Sequence, residues 1–189
     1  GISAETLYKE FFDGEWTWDK MIEYSKKCTK IGSNDDNSTY GFMMDNSFSP
    51  LMWLYSNGST PVLRDGNTYK YNLNSPDSIA AIQHCYDLVY KHKVTAKEIN
   101  GTGATLFKKG KVAFFATAMW AFPSYVDSFK DSELGVLLYP KGPKAKDYVN
   151  VTDTPAYWFI QPMVEDKALV AQLVTEYNDK IITEDDGDS

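Results

Sequence analysis

Apolar positions along the chain shift repeatedly from the three-and-four step of a helix to short unbroken runs of strand length. Glu5 to Phe12 reads as a helix closed by Asp13-Gly14. Trp18, Met21, Ile22, Ser25 and Cys28 then share one helical stripe. Thr17 stands where it caps that helix, Asp19 occupies the first turn, and Lys26, Lys27 and Lys30 supply a positive end. Tyr40 to Met44 has strand length. Phe48, Leu51, Met52, Trp53 and Tyr55 form a dense segment that reads as a helix stopping at Asn57-Gly58. Val62-Leu63 and Thr68 to Tyr71 flank Asp65-Gly66-Asn67, a hairpin signal. Ser75-Pro76-Asp77 follows the order of cap, first-turn proline and acid. The helix it opens carries Ile79, Ile82, Cys85 or Tyr86, and Val89 as its expected buried stripe.

The stretch from Leu106 to Pro143 organises the rest. Phe107-Lys108-Lys109-Gly110 reads as a short helix stopped at glycine. Val112 to Ala118 is nearly all apolar or small, as expected of a strand covered on both faces. Met119-Trp120-Ala121-Phe122-Pro123 places aromatics at its exit, Tyr125 to Phe129 looks helical, and Leu134 to Tyr139 reads as a further strand ended by Pro140 and Gly142-Pro143. Ligands of open α/β sheets bind beyond strand ends, which makes Trp120 the first site candidate. Further on, Tyr148 to Pro155 is polar, Ala156 to Ile160 reads as a third buried strand, and Glu165 or Asp166 opens a helix carrying Ala168, Leu169, Leu173, Val174 and Tyr177. Thr183 to Ser189 is acidic, lacks an apolar anchor and is expected to be disordered.

Composition narrows the function. A hydrophobic share of 43% over 189 residues suffices for a packed core, and an aromatic share of 15% exceeds what that core needs. A net charge of −7 argues against nucleic acid, because Lys26-Lys27 and Lys108-Lys109-Lys111 are too short for a phosphate-binding patch. No apolar segment is long enough to cross a bilayer as a helix. Cys28 and Cys85 fall on the apolar faces of expected helices and read as two buried thiols rather than a disulfide. Asp35, Asn37 and Thr39 imitate the start of a calcium loop, but Tyr40 and Asn46 stand where glycine and glutamate are needed, so calcium is rejected. His84 and His92, the two histidines, lack metal-site spacing. Gly110-Lys111 leads to Val112 rather than Ser or Thr, and Gly101-Thr102-Gly103 lacks a third glycine. No cofactor, metal or catalytic residue is therefore assigned, and no enzyme is expected.

Five stretches, in order, resemble the carbohydrate-type extracellular solute-binding proteins of ABC importers, the group that includes maltose-binding protein. They are Gly14-Glu15-Trp16-Thr17-Trp18-Asp19; Leu54-Tyr55-Ser56-Asn57-Gly58 with the Asp65-Gly66 hairpin; Leu73-Asn74-Ser75-Pro76-Asp77; Phe107 and Gly110-Lys111-Val112-Ala113 with Trp120; and Gly135-Val136 with Pro140 to Pro143. Ala118-Met119 departs from the glycines usual before the tryptophan, and Ser59 from a common glycine. The resemblance implies an α/β lobe of a periplasmic-binding-protein-like type II fold, with helices around a small mixed sheet. Residues 1–150 correspond to the second lobe, 151–182 to a crossing strand and helix that belong with the first, and 183–189 to an acidic tail.

It further implies that a sugar or oligosaccharide sits between two lobes and that ABC permease subunits are partners. The expected location is extracytoplasmic, in the periplasm or anchored at the outer cell surface, and the lone lobe is expected to self-associate. Trp120 matches the family's stacking tryptophan. Phe48 falls where a second aromatic is common, Trp53 fits the core stripe as well as the site, and Asp153 is placed to accept sugar hydroxyls or to sit as a surface acid. The rivals are a carbohydrate-active hydrolase using two carboxylates beside an aromatic cleft, and a module binding a protein partner.

Overall fold

The computed structural model describes residues 2–34, 37–44, 49–96, 102–129, 134–151 and 159–185. The chain divides into two units, Gly1–Val151 and Thr152–Ser189. In the first, α1 (Ala4–Phe12) is capped by Ser3, whose hydroxyl accepts the Thr6 N–H. Helix α2 (Trp18–Cys28) starts at the expected Thr17 cap. The two are tied by Glu10, whose Oε1 accepts from the Tyr24 hydroxyl at 2.7 Å and from Lys20 Nζ at 3.0 Å.

Strand β1 (Tyr40–Met44) pairs in parallel with β4 (Val112–Ala116), Tyr40 opposite Val112 and Met44 opposite Ala116. Between them lie α3 (Ser49–Ser56), the antiparallel hairpin β2 (Val62–Asp65) and β3 (Thr68–Tyr71), α4 (Pro76–Tyr90) and α5 (Thr102–Lys108). Every residue of β1 is buried. Gly41 brings α2 close to it, since a Cβ there would overlap the backbone of Ser25. In β4, by contrast, Ala113 is exposed and Phe114 to Ala116 are half-buried. The strand covered on both faces is thus β1, not β4, which pairs with β1 alone among the described residues.

The core joins Trp16, Trp18, Met21, Ile22 and Tyr24 to Phe42, Met44, Trp53, Leu54, Ala81, Leu88 and Val94. Leu134 to Tyr139 is not a strand. Its polar backbone is satisfied piecemeal: Val136 N–H donates to the Tyr8 hydroxyl at 3.1 Å, and the Leu138 carbonyl accepts the Trp16 indole N–H at 3.0 Å. Hydrogen bonds then run from Lys141 N–H to Trp16 O and from Trp18 N–H to Lys141 O, each at 3.0 Å. Side chains and the α1–α2 connection have taken the place of a ladder.

Helix α4 departs in part from its expected face, keeping Val89 and Cys85 inward. Ser78, Ala81, His84, Leu88 and Val89 are buried, while Ile79, Ile82 and Tyr86 are exposed. A hydroxyl network turns it: Ser78 shares a 2.8 Å hydrogen bond with Ser59 and donates to the Asn72 carbonyl at 2.8 Å. Ala81 then meets the core with the least bulk. Cys28 and Cys85 are both free, half-buried rather than fully buried.

In the second unit, α7 (Lys167–Asp185) follows α6 (Pro123–Val126) in the series. Asp166 caps α7, its Oδ1 accepting the Leu169 N–H at 2.9 Å. The helix runs through Asp185, past the Thr183 at which a disordered tail was expected. Phe159 and Ile160 are not in a strand, and residues 156–158 of the expected third strand lie outside the described residues.

Candidate functional site

A parallel strand pair aligns its C-terminal ends. Met44 lies opposite Ala116, so β1 and β4 end at the same edge. The segment after β4 is Thr117-Ala118 and then a one-turn 3₁₀ helix, Met119–Ala121. Its Ala121 N–H bonds Ala118 O at 3.0 Å, and Phe122 N–H bonds Met119 O at 3.0 Å. Two buried side chains, Ala121 and Tyr125, pin this turn to the body. Tyr125 lies edge-on to Phe107 at 5.5 Å and to Phe115 at 5.6 Å, and Lys108 Nζ sits 5.3 Å from its ring centre. Anchored from below, the turn carries Trp120 outward with 78% of its surface exposed, and Met119 beside it with 68%. Thr117 Oγ1, at the same exit, is buried and has no hydrogen-bond partner. Its only sequence signal was a hydroxyl within an apolar run.

Trp53 is not part of this surface. It is fully buried, edge-on to Phe42 at 5.5 Å, Trp18 at 5.8 Å and Tyr139 at 5.1 Å, and is a core residue. A tryptophan so enclosed has no free face for a ligand, which removes it from the candidate set. Phe48 and Asp153 lie outside the described residues.

A concavity lies elsewhere on the first unit. An open cleft of about 620 Å³ runs between α2 and α4, lined by Asp19, Ile22, Glu23, Lys26, Lys27, His84, Lys91 and His92. Both histidines of the chain meet there. Burial, with Lys26 and Lys91 nearby, holds His92 below the ordinary imidazole range. No group of three or more His, Cys, Asp or Glu suited to a metal ion occurs among the described residues. In sequence, His84 falls within α4 and His92 just beyond its C-terminal end.

An exposed indole on a rigid turn offers an apolar face to a flat apolar partner, and the C–H face of a sugar ring is one. No protein-family model matches the chain, and no curated protein matches it significantly. Solved structures do. The maltose/maltodextrin-binding domain MalE of Bdellovibrio bacteriovorus, bound to maltotriose, aligns with a TM-score of 0.59 at 22% identity, over 70% of this chain and 35% of that one. Maltose-bound MalE3 of T. maritima aligns with a TM-score of 0.56 at 28% identity, over the same 70% and 35%. A solute-binding protein of an ABC transporter from Thermotoga lettingae, bound to α-D-tagatose, gives 0.54 at 22% identity, over 66% and 33%. The aligned part of the chain thus spans about a third of the length of these structures. The fold is α/β, helices around a small sheet, and its structural neighbours are periplasmic-binding-protein-like type II proteins.

Proposed function

We propose that the chain supplies one side of a sugar-binding site centred on Trp120, in the substrate-binding component of an ABC importer acting outside the cytoplasm. The observation that carries this reading is a tryptophan held 78% exposed on a core-anchored turn at the exit of a parallel strand. Met119 and Trp120 are exposed side by side, and adjoining apolar surface of this kind marks ligand or partner sites. The solute-binding neighbours, named for maltose, maltotriose and tagatose, make sugar the ligand class of choice. Phe48 and Asp153 are the further contacts proposed: Phe48 follows β1 in sequence, and Asp153 would accept hydroxyl hydrogen bonds. Permease subunits would be the protein partners. A binding component returns its ligand intact, so labelled maltotriose recovered uncleaved distinguishes this reading from hydrolysis.

The test is Trp120→Ala, followed by NMR titration with maltose and maltotriose. Loss of about 1–3 kcal/mol of binding with an unchanged melting temperature is expected. Unchanged sugar shifts, or a large fall in melting temperature, would show Trp120 to be structural.

A further inference from the structure

His84 stands where three helices meet. Its ring, on α4, stacks on Trp18 of α2 at 4.0 Å and 17°, and meets Trp53 of α3 at 4.6 Å and 61°. It is 8% exposed, and its Nε2 is buried without a hydrogen-bond partner. The surrounding rings are themselves held: Trp18 Nε1–H donates to Ser56 Oγ at 3.1 Å, and that hydroxyl donates to the Trp53 carbonyl at 3.1 Å. A neutral imidazole fits here as a flat aromatic filler. A charged one would have no acceptor at Nε2.

We propose that His84 is an acid-sensitive latch that joins α4 to α2 and α3. Neutral, it completes the aromatic stack; on taking up a proton from solvent it places an unpaired charge in the core and loosens α4. Of the carboxylates near it, Glu23 and Asp87 are each engaged by a lysine, and Asp19 lines the adjoining cleft. Helix α2 brings Asp19, Glu23, Lys26 and Lys27 to the adjoining cleft, and the turn after α4 brings Lys91 and His92. Lys27 is paired with Glu23 at 2.6 Å and Lys91 with Asp87 at 3.3 Å. Helix α3, Ser49–Ser56, carries no charged residue. Burial pushes the His84 imidazole down to about 4, with His92 acting in the same direction and Asp87 against it.

The sign follows from proton counting. The unfolded chain takes a proton at its ordinary imidazole value, near 6.5, whereas the folded chain resists until about 4. Stability from the latch is therefore complete above the unfolded value and is lost as pH falls toward the folded one.

The inference does not depend on sugar binding, and neither does its test. Urea unfolding of wild type and His84→Phe, which keeps an aromatic ring without titrating, is compared at about pH 7.5 and about pH 5. The wild-type folding constant should fall about 30-fold more than that of the variant over this range. Equal falls would overturn the latch. NMR titration of the wild-type His84 imidazole gives a reading even where the variant does not fold. A midpoint near 6.5 would refute the proposal, and one well below it would support it.

Discussion

Two tryptophans with similar sequence surroundings end in opposite environments. Trp53 is fully buried among four aromatic rings, whereas Trp120 projects from its turn. The difference lies in what anchors each neighbourhood, Ala121 and Tyr125 holding the turn so that the indole between its strand and helix faces outward. Close approach has an equally local cause at Gly142, where a Cβ would stand 2.5 Å from Asn57 Oδ1 and 2.8 Å from Trp18 Cζ2. Asn57 cannot yield, because its side chain donates to the Asp77 carbonyl at 3.0 Å and accepts the Lys144 N–H at 3.2 Å. Gly142→Ala should therefore destabilise the fold by about 2 kcal/mol or more in chemical denaturation. A change within experimental error would show that the segment slides aside. For the thiols, burial pushes Cys85 up to about 12. Since the thiolate is the nucleophile, Cys85 should react with a disulfide reagent only slowly before unfolding. Two free thiols should be counted after denaturation without reductant, and none would reveal a disulfide.

At the scale of elements, α4 shows how a periodic pattern is read one step off. Spacing alone favours Ile79, Ile82, Cys85 or Tyr86, and Val89; of these Val89 is buried and Cys85 half-buried, while Ile79, Ile82 and Tyr86 are exposed. The packed face takes in smaller residues, because Ser78 joins a hydroxyl network and Ala81 permits contact with α3. This orientation makes a paired prediction. Ala81→Leu should cost about 2 kcal/mol or more through overpacking, while Ile82→Lys should stay within about 0.5 kcal/mol. A larger loss at Ile82 would place the sequence-derived face in the core after all. The cap of the same helix is tested by Ser75→Ala. Ser75 Oγ accepts the Ser78 N–H at 3.3 Å and donates to its hydroxyl at 3.0 Å. Its removal should cost about 1 kcal/mol.

For the molecule as a whole, a surface that meets a sugar from one side leaves most hydroxyls in water. Tight small-molecule sites enclose the larger part of the ligand. Calorimetry of this 189-residue chain against maltose and maltotriose should accordingly give millimolar or weaker binding, about 4 kcal/mol or less. Micromolar binding by a monomer would mean that the site is complete here and that the one-sided reading is wrong. Helix α7 leaves Leu169, Leu173 and Tyr177 exposed, and apolar stripes of this kind drive association. Sedimentation should therefore show a concentration-dependent rise in mass, which Leu173→Glu reduces.

The sequence by itself determined the elements whose cause is local. The Thr17 and Ser75 caps, the Asp65-Gly66-Asn67 turn and β1 from Tyr40 to Met44 follow from side chains bonding their own backbone and from spacing within a few residues. The turn bearing Trp120 was legible for the same reason, as an aromatic placed just beyond a strand. Only the tertiary structure decided which face of α4 is buried, that Leu134 to Tyr139 bonds side chains instead of a strand, and that His84 closes an aromatic stack with Trp18 and Trp53. Each of those depends on partners far away in the chain, and burial energy goes to whichever residues meet those partners, whatever the local pattern favours.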